Sequence, residues 1–287
     1  MRFKWCVCSL FVFVSMLNGA FAESIDLGRG PVPLVVPSNY DESKPAPLIV
    51  LLHGYTASGA AQNAYWKLSG LADTYGFLFI APDGTREKTE AKSRFWNATE
   101  ACCDFQKSEV DDSGYILGLI NEVKKQYSVD ANRVYVTGHS NGGFMSHRLA
   151  QDHPDTIAAI VALNGAAPNT LKGPKPKRPV HILHVHGTED ELNAYEGGDV
   201  FGVRYPGPEE TVKKWAEYAW GTSEMSKVSE RLDLDAKLEG AETSITRYAN
   251  GSVELWTIEG GGHVPAFTKD WGKLIVEWML AHPKEGK

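Results

Sequence analysis

The chain has 287 residues, of which 43% are hydrophobic and 23% charged, with a formal net charge of −7. Such a chain can bury a large core, and these fractions exclude a disordered or fibrous polymer. The acidic balance argues against nucleic acid or an anionic membrane surface as the main partner, and nothing implies a protein partner.

Arg2 and Lys4 precede a largely apolar run over 5–17, and Ala20-Phe21-Ala22 has the small-x-small pattern of a processing site. Residues 1–22 are expected to be a cleaved signal peptide, since the run falls short of the roughly 20 residues a bilayer span needs. Residues 23–287 are then one catalytic domain, secreted or periplasmic. Cys6 and Cys8 leave with the leader, and the adjacent Cys102 and Cys103 remain. Across a trans peptide their Cα atoms would stand about 3.8 Å apart, below the usual disulfide separation of about 4.4 Å or more. A bond between them would be strained. Two buried thiols or a link to another chain are the alternatives. With no second cysteine pair, zinc is not expected, and no other metal or cofactor is implied.

In chain order, short apolar runs end in Gly, Asn or Asp. They are 48–52 before His53-Gly54, 77–80 before Pro82-Asp83-Gly84, and 134–136 before Gly138. Two more are 157–163 before Asn164-Gly165 and 180–185 before Gly187. Such runs read as strands buried on both faces, as in parallel sheets. Helical patterns alternate with them at 60–75, 113–127, 143–151, 209–220 and 268–281. In the second, Tyr115, Ile116, Leu119, Ile120 and Val123 form one apolar stripe. The expected architecture is α/β: a doubly wound, mostly parallel sheet, with its site at the carboxyl ends of the strands. Asn250-Gly251 between 245–248 and 253–258 suggests a hairpin. The Lys/Pro-rich stretch 173–179 reads as a loop, not a domain boundary.

Gly138-His139-Ser140-Asn141-Gly142 lies between a strand over 133–137 and a helix beginning near Gly143. A G-x-S-x-G turn in that setting lifts a serine clear of the sheet and points the next N–H at a substrate carbonyl. Ser140 is thus the expected nucleophile, against the plainer reading of a glycine-rich turn. A serine hydroxyl needs a base, and the base an orienting acid, in the chain order Ser, acid, His. Asp190 follows the strand at 180–185, with Glu189 and Glu191 as alternatives beside it. His263 follows the strand at 253–258, and only His282 otherwise comes after the acid. His184 and His186 share a strand face, and a polar strand end is favoured there over a metal site. The oxyanion donors are expected to be the N–H groups of Asn141 and of Tyr55, which follows His53-Gly54.

Taken together, these segments resemble the polyhydroxybutyrate depolymerase-type esterase family, with its feruloyl and acetylxylan esterases, within the α/β-hydrolases. The matching stretches run from about Pro47 to about Trp278. They include Leu51-Leu52-His53-Gly54, Ala81-Pro82-Asp83-Gly84, Phe95-Trp96-Asn97, Val110-Asp111-Asp112, the Ser140 turn, His186-Gly187-Thr188-Glu189-Asp190 and Gly260-Gly261-Gly262-His263. The resemblance implies a Ser140, Asp190, His263 triad, and so selects Asp190 over its neighbours. It implies that Trp96 lies near the acyl pocket and that Cys102 and Cys103 are joined. It departs where Val264-Pro265 replaces the Trp-Pro common after the family's histidine, which makes Val264 a second pocket candidate. Late cysteines are also missing, and no appended substrate-binding domain is apparent.

The expected activity is ester hydrolysis through an acyl-enzyme, on short-chain, aryl (feruloyl or acetyl) or hydroxyalkanoate esters and oligomers. The substrate would be a small ester, a plant polysaccharide ester or a polyester. An extracellular depolymerase acting on polymer is the alternative. A peptidase, or a non-catalytic binding protein on a hydrolase scaffold, ranks below both.

Overall fold

The computed structural model describes residues 23–284, so the leader expected over 1–22 lies outside the described residues. Among the described residues the fourteen strands are β1 (Ser24–Ile25), β2 (Val32–Val35), β3 (Ala46–Leu52), β4 (Leu78–Ile80), β5 (Thr85–Arg86), β6 (Arg94–Phe95), β7 (Val129–His139), β8 (Ala159–Leu163), β9 (His181–Gly187), β10 (Gly197–Val200), β11 (Val203–Pro206), β12 (Met225–Leu232), β13 (Thr243–Tyr248) and β14 (Val253–Ile258). The α-helices are α1 (Gly59–Trp66), α2 (Ala72–Tyr75), α3 (Asp112–Gln126), α4 (Asn141–Asp152), α5 (Pro208–Trp215) and α6 (Trp271–Ala281).

Ten strands form one sheet in the order β1-β2-β4-β3-β7-β8-β9-β14-β13-β12. The six from β4 to β14 run parallel, and the strands beyond them at both edges are antiparallel. This is the expected doubly wound sheet. β3, β8 and β9 are buried along their whole length, as strands covered on both faces must be. Alternate residues face opposite sides. Leu48, Val50 and Leu52 pack with Ile116 and Ile120 of α3 and Phe144 and Leu149 of α4. Ile49 and Leu51 pack with Trp66 of α1 and Trp271, Ile275 and Met279 of α6. Two apolar layers therefore clamp the sheet and fix its strand ends.

Local chemistry sets the boundaries. Asp111 caps α3 by accepting from the Gly114 N–H at 2.7 Å, and Lys124 and Lys125 sit in its last turn, where the helix dipole favours positive charge. The helical pattern at 60–75 is interrupted. Lys67 turns left-handed at φ 57° after α1, and a 3₁₀ turn over Leu68–Leu71 leads into α2. The pattern at 209–220 ends as a π-helical turn over Ala216–Trp220. β13 and β14 pair antiparallel around Ala249–Gly251, the hairpin expected at Asn250-Gly251. The short ribbons β5–β6 and β10–β11 and the edge strand β12 carry no period-two apolar signal and were not anticipated.

Candidate active site

Ser140 stands between β7 and α4 with φ 54° and ψ −119°, a left-handed conformation held by its surroundings. Its N–H donates to the Leu163 carbonyl at 2.8 Å, and its side chain does not cap the helix. The hydroxyl is thus not spent on the local backbone. The flanking glycines are required by close approach. A Cβ at Gly138 would lie 2.4 Å from the Gly142 carbonyl oxygen, and one at Gly142 would lie 2.3 Å from that of Leu52.

His263 and Asp190, 73 residues apart, meet beyond the ends of β14 and β9. His263 Nδ1 lies 2.9 Å from both carboxylate oxygens. Asp190 Oδ1 also accepts from the N–H groups of Leu192 at 2.9 Å and Asn193 at 2.8 Å. Burial by itself would raise the Asp190 carboxyl. The hydrogen bond and charge of His263, together with the Asn193 N–H, outweigh it and hold the group below its ordinary value. Glu191, one of the alternatives, instead accepts from the His263 N–H at 3.2 Å.

Two residues that sequence reasoning left without a role tie these loops to the serine. His139 Nε2 lies 2.8 Å from the His263 carbonyl oxygen. Burial and the neighbouring His263 ring push its imidazole down to about 4, so it is neutral at neutral pH. Asn164, left-handed at φ 48° and fully buried, binds three segments. Its Nδ2 donates to the carbonyls of Gly262 at 3.1 Å and His263 at 2.8 Å, its Oδ1 accepts from the Gly187 N–H at 3.0 Å, and its carbonyl accepts from Asn193 Nδ2 at 2.7 Å. The available signal was an Asn-Gly pair ending a buried strand, since Asn tolerates a left-handed backbone.

The oxyanion candidates sit on two braced arms. Asn141 opens α4, so its N–H has no acceptor inside the helix. On the other arm the Thr56 N–H goes to the Arg94 carbonyl and the Ala57 N–H to that of Gly54. No acceptor for the Tyr55 N–H is found among the described residues. His53 accepts the Gly84 N–H at Nε2, which makes Nδ1 the donor to the Gly54 carbonyl at 2.7 Å.

Trp96, expected near the acyl pocket, is fully buried. Its indole donates to the His53 carbonyl at 3.0 Å, while its backbone N–H and C=O bind Asn141 Oδ1 at 2.7 Å and Nδ2 at 2.9 Å. Its size and donor lock the two arms together and leave it no surface from which to touch substrate. Asn141 Nδ2 also reaches Cys102 Sγ at 3.4 Å, and Cys102 and Cys103 form a vicinal pair. Val264 is well exposed beside His263. A ridge of rings runs outward from Tyr55, which stands edge-on to Phe105 at 5.5 Å, and Phe105 in turn to Phe201 at 5.5 Å. The histidines at 184 and 186 are consumed by hydrogen bonds to each other and to their neighbours.

Comparison with known proteins places the chain among esterases and their relatives. The chain is 26% identical over 245 residues to a bifunctional acetylxylan esterase/xylanase of Neocallimastix patriciarum, covering 80% of this chain and 34% of that protein. It is 28% identical to feruloyl esterase B of Piromyces equi, covering 85% and 44%. To poly(3-hydroxyalkanoate) depolymerase C of Paucimonas lemoignei it is 25% identical, covering 81% and 56%. It thus spans about a third to just over half the length of these curated relatives. Among solved structures, the acetyl xylan esterase from Aspergillus awamori superposes with a TM-score of 0.60 at 19% identity, over 87% of this chain and 93% of that one, a likeness of fold. Residues 36–201, more than half of the sequence, match the phospholipase/carboxylesterase description, and the chain belongs to that family of α/β-hydrolases.

Proposed function

We propose that this protein is an exported serine carboxylic-ester hydrolase that works through an acyl-enzyme. The observation that carries the reading is the meeting of Asp190 and His263 at 2.9 Å on the strand-end side where Ser140 stands clear of its own helix. Ser140 Oγ attacks the ester carbonyl carbon while His263 takes its proton. Asp190 holds the imidazole in one tautomer and stabilises the imidazolium that forms. The N–H groups of Asn141 and Tyr55 receive the negative oxygen of the tetrahedral intermediate. Collapse breaks the ester C–O bond, and His263 returns the proton to the departing alcohol. Water, deprotonated by His263, then attacks the acyl carbon and frees the acid and the serine.

For substrate, short-chain or aryl esters and soluble hydroxyacid oligomers fit best. The Tyr55–Phe105–Phe201 ridge offers flat apolar contact next to the proposed oxyanion donors. A second reading, a depolymerase acting on polymer, draws on the same ridge, because Phe201 is 87% exposed and would meet a polymer surface. The test is a panel of short-acyl nitrophenyl esters, hydroxybutyrate oligomers, methyl ferulate and acetylated xylan, given to the wild type and to Ser140→Ala. Turnover confined to the wild type is expected. Turnover surviving in well-folded Ser140→Ala would sink the proposal.

A further inference from the structure

A buried line of side chains, unused in the reaction above, ends beside the proposed acid. The Trp215 indole N–H donates to His147 Nδ1 at 3.0 Å. His147 Nε2 lies 3.0 Å from His184 Nδ1, and His184 Nε2 lies 3.1 Å from His186 Nδ1. His186 Nε2 reaches the Asn193 carbonyl oxygen at 2.7 Å and stands 3.6 Å from Asp190 Oδ2. The rings are stacked, and all four side chains are buried.

The two ends of this line fix everything between them. An indole N–H can only donate, so His147 Nδ1 must accept. A neutral imidazole has one donor and one acceptor, so His147 Nε2 carries the proton and His184 Nδ1 accepts. The same step repeats at His184 and His186. It ends at a carbonyl, which can only accept. Burial keeps the three rings neutral: it holds His147 down to about 3 and lowers His184 and His186 from the ordinary histidine value.

We propose that Trp215, His147, His184 and His186 form a one-way hydrogen-bonded chain that sets the tautomer of His186 and thereby positions Asp190. The proposal rests on the reading of Asp190 as the acid. Asn193 is the point of action. Its N–H binds Asp190 Oδ1, and its carbonyl binds His186. With the proton on Nε2, His186 holds the Asn193 carbonyl and turns a positive edge toward Asp190. With the proton on Nδ1, a lone pair would face both oxygens, and the 190–193 turn would lose its grip. A charged His186 would set a second cation against the carboxylate, in competition with His263. The neutral Nε2–H form avoids both. These are positioning residues, because none of them touches the reacting atoms.

Long-range ¹H–¹⁵N NMR of the folded protein reads the imidazole tautomers directly. Neutral Nε2–H signatures are expected for His147, His184 and His186 in the wild type. Trp215→Phe, which keeps an aromatic ring but removes the donor, is expected to mix those tautomers and to lower kcat roughly tenfold, with KM within about twofold. His184→Gln preserves one acceptor and one donor, and should retain more activity than His184→Leu at matched melting temperature. An Nδ1–H or charged ring among the three in the wild type overturns the chain. An unchanged kcat in Trp215→Phe, with Ser140→Ala inactive, overturns the positioning role alone. Turnover in Ser140→Ala overturns the reading beneath it and leaves the NMR result standing.

Discussion

The residue before Ser140 holds the backbone of the proposed base: His139 Nε2 lies 2.8 Å from the carbonyl oxygen of His263. That carbonyl also accepts from Asn164 Nδ2 at 2.8 Å, so two donors fill its two lone pairs. His139→Leu and Asn164→Ala are each expected to lower kcat/KM several-fold. The double variant should lose more than the product of the two, because the second loss frees the loop that the first left anchored. A double-mutant cycle on a nitrophenyl ester measures this, and strictly multiplicative losses would show the two bonds to be independent.

The acidic neighbours separate cleanly. Asp190→Asn is expected to cost about 10⁴-fold in kcat, through loss of charge and of the correct imidazole tautomer. Glu191→Gln should stay within a few-fold, since a glutamine oxygen can still accept the His263 N–H that Glu191 now takes. Glu189→Gln should be nearly silent. Steady-state kinetics on the three variants decides, and a crippled Glu189 or Glu191 variant would reassign the acid.

Cys102 and Cys103 are expected to be oxidised to each other. The pair lies against Asn141, whose side chain also grips Trp96. Mass spectrometry of non-reduced, alkylated protein should find neither thiol labelled. Two labelled thiols, or a disulfide-linked dimer, would reject the pairing.

The exposed ridge predicts where specificity lies. Phe201 and Phe105 are 87% and 43% exposed, so Phe201→Ser should change stability by no more than about 0.5 kcal/mol. It should raise KM for aryl esters and hydroxybutyrate trimer several-fold and leave kcat alone, because the contact is equal in ground and transition states. Comparing trimer with a polymer film at equal accessible ester tests the two substrate readings. Faster release from trimer is expected, and the reverse would favour the polymer depolymerase.

Stability should fall on acidification. His139 and His147 are held down to about 4 and about 3, and His186 is lowered as well, chiefly by burial. The unfolded chain takes up the protons of His139 and His147 as pH falls through about 6.5, whereas the folded protein refuses them until about 4 and about 3. Each such histidine therefore removes about 1.4 kcal/mol per pH unit within that window. Thermal melts from pH 7 to 4 should show a steep loss beginning near pH 6, and a flat profile over that range would contradict neutral burial.

The sequence alone determined the parallel sheet, because continuous apolar runs cut off by Gly, Asn or Asp are a local signal that β3, β8 and β9 carry in full. It also singled out Ser140 and His263 as the candidates for nucleophile and base. A glycine-flanked turn between strand and helix and the order of residues along the chain are both local facts. The acid was narrowed to three neighbouring positions, and only the family resemblance separated them. The tertiary structure decided what depends on contacts between distant strands. It buried Trp96 behind Asn141 and His53, and it made Asn164 and His139 the ties between loops 99 and 124 residues away. It also turned four scattered aromatic and imidazole side chains into one polarised line. No periodicity marks such residues, because a hydrogen bond across a sheet is written in the register of strands and not in the spacing of the chain.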